Sequence, residues 1–270
     1  MRWRLLDDGA NPGAWNMAVD EALTEAVNAG TAPPTLRLYR WAPPCLSLGF
    51  SQPYEVADAR FCATRGIGVV RRPTGGRAVL HHLELTYAVA ARLEAPFSAD
   101  LQGAYQAICR ALVIGLGTLG VPAELCGPPE GGHIRPTQPI PCFIGPAAGE
   151  VAVAGRKLVG SAMRRIGCAI LQHGSILEGW DSALQAGCLG LADDRELRAA
   201  VATLVDVLGA APPPSAIVHA IVRGFEAAFG VALERAGLSA GERARAELLE
   251  RERYGHERFT VHRDRSLPAS

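Results

Sequence analysis

The sequence predicts an α+β fold, with mixed, mostly antiparallel sheets flanked by helices and a helical C-terminal appendage. Three observations carry that expectation. The first two-thirds of the chain alternates apolar and polar residues in short runs bounded by proline and glycine, the pattern of half-buried strands. Few helical stretches interrupt these runs, so the regular strand–helix succession of a parallel sheet is absent. From Asp193 onward the period becomes helical. The boundaries drawn from this are a core over residues 1–180 and a helical part over 181–270 packed on the same domain.

In chain order, Trp3 to Leu6 reads as a first strand. Asn16 to Asn28 reads as a helix, with Met17, Ala18, Ala22, Leu23, Ala26 and Val27 forming an apolar stripe that ends at Gly30. Thr35 to Trp41 (TLRLYRW) alternates as a strand, and CLSLGF follows Pro43-Pro44 as another. Tyr54 to Arg65 is expected to be helical. Gly68 to Arg72, Arg77 to His81 and Glu84 to Arg92 are strands, and Ala99 to Leu119 is a core helix with Leu101, Tyr105, Ile108, Leu112 and Leu116 in register. Residues 127–141 hold five prolines and three glycines and sustain neither regular structure, so they are expected to form a mobile loop. A hairpin follows, Glu150 to Ala154 with Lys157 to Arg164, turned at Gly155-Arg156. Ala169 to Leu177 is the last strand, and Ile217 to Phe229 and Ser239 to Arg253 are the main C-terminal helices.

Composition bounds the function. A net charge of zero and a pI near 7.0 exclude a general polyanion binder, so no nucleic-acid partner is expected. The seven cysteines are odd in number and never spaced as CxxC, which suggests reduced thiols, with neither a disulfide framework nor a metal site. The N-terminus carries Asp7 and Asp8 where a signal peptide would be apolar, and no run is long enough to span a bilayer. A cytoplasmic protein without a membrane partner is expected.

Lys157 is the only lysine, whereas 26 of the 27 cationic residues are arginine. A chain that exchanges lysine for arginine wherever a solvated charge suffices would retain an ammonium where a compact, proton-exchanging cation is needed. One lysine must sit somewhere, so its surroundings decide. Upstream, RRPTGGRAVLHH (71–82) places two arginines before a Gly-Gly turn that feeds a strand. Such a turn brings backbone N–H groups close to a ligand oxygen, or it is an ordinary hairpin turn.

RRPTGGRAVLHH followed by ELTYAV, with GRKLVGSA and LQHGSIL downstream, resembles the lipoate and octanoate attachment family of lipoate-protein ligases, octanoyltransferases and, more distantly, biotin ligases. WRLLDDG, NMAVDEAL, LRLYRWAPPCLSLGFSQ and a Cys-Phe pair upstream of the GRK segment narrow the resemblance to octanoyltransferases of the LipM type. It covers Trp3 to at least Leu177 and implies the biotin/lipoate protein ligase-like catalytic fold. It also implies Cys142 as the acyl-accepting nucleophile and Lys157 as its partner. The chemistry agrees, because a nearby ammonium favours the thiolate over the thiol. The same resemblance puts Arg72, Thr74, Gly75, Gly76, Arg77 and His81 in the acyl-binding motif, with Gly160 and Ser161 beside the chain; His173 stays ambiguous. If the strand is unbulged, Lys157, Val159 and Ser161 share one face and Leu158, Gly160 and Ala162 the other.

The implied reaction takes octanoyl from octanoyl-acyl carrier protein onto Cys142 and then onto a lysine of an apo lipoyl domain or glycine-cleavage H protein, without a cofactor or metal. Arg71, Arg72, Arg156, Arg164 and Arg165 offer a positive rim for such acidic domains, or are solvated strand ends. Three alternatives stand beside this: an ATP-dependent lipoate-protein ligase that would not need Cys142, an amidotransferase moving octanoyl from H protein to lipoyl domains, and a non-catalytic carrier-binding protein.

Overall fold

The computed structural model describes residues 2–97, 100–127 and 149–264. Eleven strands are found among them: β1 (Arg2–Asn11), β2 (Thr35–Trp41), β3 (Cys45–Leu48), β4 (Gly68–Arg71), β5 (Val79–His81), β6 (Glu84–Arg92), β7 (Glu124–Leu125), β8 (Val151–Val153), β9 (Arg156–Ile166), β10 (Ala169–Leu177) and β11 (Ala232–Arg235). Eight form one sheet in the order β11-β1-β2-β6-β10-β9-β8-β7, and β4-β3-β5 form a second. Neighbours from β2 through β7 run antiparallel, whereas β1 lies parallel to both β2 and β11. The α+β expectation holds.

Both faces of the large sheet are covered, so its central strands are buried on both sides. Alternate residues of β2 and β6 (Leu36, Leu38, Leu85, Tyr87, Val89) enter the core beneath α3 (Leu101–Gly117) and α7 (Pro214–Phe229). The opposite face packs against α1 (Gly13–Asn28) and α8 (Ala240–Leu249). Helices α3 and α7 meet backbone to backbone, since a Cβ on Gly224 would lie 2.3 Å from the Ala111 carbonyl oxygen. The second sheet buries Leu46, Leu48 and Leu80 with residues of the short helices α2 (Ala59–Thr64) and α4 (Ser182–Cys188). It stands beside α1, which leaves a slot between the two sheets.

Local chemistry explains where the boundaries differ from expectation. The helix expected from Tyr54 begins only at Ala59, because the Asp58 carboxylate accepts from the Phe61 N–H at 2.8 Å and caps it there. Strand β5 starts at Val79 and not at Arg77, because the Arg72 guanidinium holds the Gly75 and Arg77 carbonyls in a turn. The hairpin turns at Ala154-Gly155, one residue earlier than expected, with φ of +49° and +73° as a mirror-image turn requires. Strand β9 carries a bulge: Ala152 pairs with Lys157 and Val151 with Val159, so Leu158 is extra. Leu158 and Val159 therefore both enter the core, and the simple alternation expected along this strand fails. The charged four-residue β11 was not anticipated; it pairs parallel with the first residues of β1.

Candidate active site

The slot between the sheets is a narrow cavity of about 50 Å³ lined by β2, β3, β5, β6, β9 and β10, with Met17 of α1 at one side. Of the residues singled out in the sequence, Arg72, Gly76, His81, Gly160 and Ser161 line it, together with His173. Thr74 does not, but its hydroxyl lies 2.6 Å from His173 Nε2, directly behind the wall. Gly75 and Arg77 lend carbonyls to Arg72, whose guanidinium also donates to the Ser47 carbonyl and hydroxyl oxygens, each at 3.1 Å. The turn is thus tied to β3 from inside. A Cβ on Gly49 would sit 1.9 Å from the Gly76 carbonyl oxygen, so only glycine admits this approach.

Two hydroxyl–imidazole–carboxylate chains support the walls. In the first, His81 Nδ1 lies 2.7 Å from Glu84 Oε1 and Nε2 lies 2.7 Å from Ser47 Oγ. Thr86 and Ser175 also donate to Glu84 Oε1, at 2.7 and 2.9 Å. Trp41 stacks on the His81 ring with centroids 3.9 Å apart and donates to the Thr86 hydroxyl. In the second, His173 Nδ1 lies 2.9 Å from Asp20 Oδ2 and Nε2 meets Thr74. Burial holds His173 below the ordinary imidazole range despite the Asp20 hydrogen bond, so it is neutral near pH 7. Asp20 itself accepts from buried Arg37 at 2.7 Å and from the Tyr39 hydroxyl at 2.9 Å. Burial alone would raise Asp20, but its bond to His173 and the Arg37 charge keep it below the usual carboxylate range.

Lys157 is buried, 2% exposed, and donates to Glu150 Oε1 at 2.7 Å. Glu150, the residue just before β8, was missed in the sequence, although a hairpin places residues seven apart within reach. Cys126 was passed over too; its backbone N–H donates to the Glu150 carbonyl oxygen at 2.8 Å. Burial and the Glu150 and Glu124 carboxylates raise the Cys126 thiol, against the opposing pull of Lys157, so it stays protonated near neutral pH. Cys142 lies outside the described residues, as do residues 128–141 of the expected loop. Ser47, Glu84, Asp20 and Trp41 also escaped the sequence reading. One signal was present for Glu84, a carboxylate three residues after a strand-end histidine. The positive rim needs correction: Arg71 and Arg72 are buried, and Arg71 donates to the carbonyls of Gly49, Gln52 and Thr260, so only Arg156, Arg164 and Arg165 remain exposed. Among the described residues no His, Cys, Asp and Glu cluster could hold a metal, and no helix is long and apolar enough to cross a membrane.

A mixed eight-stranded sheet with a second, smaller sheet is a fold shared with solved lipoate protein ligases. A T. acidophilum protein described as a lipoate protein ligase, with lipoic acid bound, superposes with a TM-score of 0.81 over 97% of this chain and 99% of its own, at 24% identity. The structure of a bi-partite lipoate protein ligase with its E2 lipoyl domain from the same organism gives 0.80 at 24% identity, covering 98% of each chain. The chain belongs to the lipoyl protein ligase A/B catalytic domain family, whose model matches residues 12–226. An octanoyltransferase LipM of Kyrpidia tusciae is 43% identical over 92% of this chain and 94% of its own length.

Proposed function

We propose that this chain is an octanoyltransferase of lipoate assembly, moving an octanoyl group from octanoyl-acyl carrier protein to a lysine of a lipoyl domain or of glycine-cleavage H protein through a thioester on Cys142. The observation that carries this reading is the near full-length likeness to a curated octanoyltransferase, together with an apolar slot whose lining on β9 starts at Gly160, three residues from buried Lys157.

The chemistry runs in two steps. The Cys142 thiolate attacks the thioester carbonyl, a C–S bond forms to the enzyme, and the carrier leaves as a thiol after taking up a proton. The acceptor lysine, as a free amine, then attacks the acyl-enzyme; its nitrogen bonds the carbonyl carbon, Cys142 leaves as thiolate and one amine proton is released. Lys157 is the cation that stabilises the thiolate and exchanges the proton, with Glu150 as its carboxylate partner. Exchange between thioesters is nearly balanced and conversion of thioester to amide is downhill, so the route needs no nucleotide. Arg72, Thr74, Gly75, Gly76, Arg77, His81, Gly160 and Ser161 form the acyl-binding region, some as lining and some as the turn behind it.

Among the described residues no cysteine lines the slot, and burial pushes the Cys45 and Cys109 thiols up to about 12. The test is intact-mass analysis after incubation with octanoyl-acyl carrier protein in the absence of ATP. Wild type is expected to gain one octanoyl group that neutral hydroxylamine removes, and Cys142→Ser to gain no such adduct. Hydroxylamine-sensitive adducts on both, or on neither, contradict the route, and transfer that requires ATP would assign the chain to the ligases.

A further inference from the structure

The Ser47–His81–Glu84 chain has the geometry of a nucleophile–base–acid relay, which the transfer reaction does not require. A carboxylate only accepts, so His81 Nδ1 is the donor in its 2.7 Å contact with Glu84 Oε1. Nε2 is then an acceptor and takes the Ser47 hydroxyl proton at 2.7 Å. An arginine only donates, so the Arg72 contact at 3.1 Å occupies one Ser47 lone pair and stabilises negative charge there. The second lone pair remains for attack. Ser47 and His81 both line the slot, as does Gly76, which supplies a neighbouring backbone turn at φ +91°. Glu84 is buried, and its Oε2 has no hydrogen-bond partner among the described residues, so the carboxylate can take up further interaction as the ring charges. The Thr74–His173–Asp20 chain differs on both counts: Thr74 does not line the slot, and Asp20 is already engaged by Arg37 and Tyr39.

We propose that Ser47 is a second nucleophile in the same slot, giving the protein a thioester hydrolase activity toward medium-chain acyl thioesters that is independent of Cys142. The proposal rests on the slot being an acyl pocket. Ser47 Oγ bonds the thioester carbonyl carbon while its proton passes to His81 Nε2. The C–S bond breaks and His81 returns the proton to the leaving thiolate. Water then attacks the Ser47 ester and gives a proton to His81, the Oγ–carbon bond breaks, and Ser47 recovers its proton, leaving the free carboxylic acid. Glu84 keeps its charge throughout and stabilises the imidazolium.

The experiment uses the full chain with Cys142→Ala as background, so that no thiol acyl-enzyme forms, and S-octanoyl pantetheine as substrate. Release of thiol together with octanoic acid, above the buffer rate, is expected. Adding Ser47→Ala or Glu84→Gln should lower that release about 100-fold, with circular dichroism and melting showing that each variant folds. In parallel, an octyl fluorophosphonate incubated with wild type should modify Ser47, identified by peptide mass. If the Cys142→Ala protein releases no thiol above buffer, if release persists after Ser47→Ala, or if the probe leaves Ser47 untouched, the proposal falls. Wild type that still transfers octanoyl to a lipoyl domain under those outcomes leaves the transfer reading standing; wild type that neither transfers nor hydrolyses removes both.

Discussion

Replacing Asp20 with Asn tests whether the wall of the slot is held by charge. Asp20 is completely buried and receives Arg37 Nη1 at 2.7 Å, the Tyr39 hydroxyl at 2.9 Å and His173 Nδ1 at 2.9 Å. Breaking a buried ion pair by removing one partner costs about 3–5 kcal/mol. Here Arg37 keeps Asp8, at 3.0 Å from Nε and 2.6 Å from Nη2, and the Asn16 carbonyl and side-chain oxygens. The guanidinium is not orphaned, so the loss belongs at the lower end, about 3 kcal/mol. An amide must also turn its NH₂ toward at least one former donor. His173 can adapt by moving its proton to Nε2, but Arg37 has no such freedom. For a chain of this size the expected fall in Tm is about 6–12 °C. Urea unfolding followed by circular dichroism measures it, with the m-value unchanged. Because the folded Asp20 carboxyl lies below its ordinary range, its stabilisation is present above about pH 3.9 and is lost as pH falls through the folded value; the variant should lack that acid limb. A loss under about 1 kcal/mol would refute the reasoning, since buried charge of this kind cannot be removed so cheaply.

Four further outcomes are expected. Lys157→Arg should fold yet fail to transfer octanoyl to a lipoyl domain, scored by the mass of the acceptor; full transfer would remove the case for an ammonium at this position. Wild-type stability should decline as pH falls below about 6.5, since burial depresses folded His173 and the unfolded chain binds the extra proton first; urea midpoints unchanged between pH 6.5 and 5 would contradict this. Ala154→Gly should raise stability by about 1 kcal/mol, because a non-glycine residue at φ +49° is relieved, and a midpoint shift in urea reports it. Gly224→Ala should lower stability by about 1–3 kcal/mol, since the new Cβ meets the Ala111 oxygen at 2.3 Å and α7 must move from α3; unchanged melting would show the crossing is looser than described.

Much of the fold was legible because its strands and helices carry their own periodicity: β2, β6 and β10 were expected at the residues they occupy, and α1, α3 and α7 within a few. What the sequence did not show is chemistry assembled across distance. His173 and Asp20 lie 153 residues apart, and Ser47 and His81 lie 34 apart; neither pair leaves a local pattern. The turn motif was recognised for its glycines, yet Arg72 inside it works as a strut and not as a surface charge. The bulge at Leu158 was equally silent, because an extra apolar residue beside Val159 reads as continued strand. Strand β11, too short and too charged for a period, exists because β1 offers it an unpaired edge.

The two imidazole chains have a consequence for what the slot accepts. Serine, threonine, histidine and a carboxylate at a cavity wall would ordinarily favour a polar ligand. Here the groups pair with one another: Ser47 with His81, Thr86 and Ser175 with Glu84, Thr74 with His173, and Tyr87 with Ser161 at 2.7 Å. A hydrocarbon chain entering the slot therefore strips no water from an unmatched donor, and its gain is the roughly 0.8 kcal/mol per buried methylene that transfer from water provides. Gly174 sets the width at the floor, since a Cβ there would lie 2.3 Å from the Gly160 oxygen and 2.8 Å from the Tyr87 ring. So narrow a space favours an unbranched saturated chain over a branched one, because each methylene needs little width and no partner. On the proposed reading, recognition of an acyl group thus depends on polar residues whose donors are already paired within the wall.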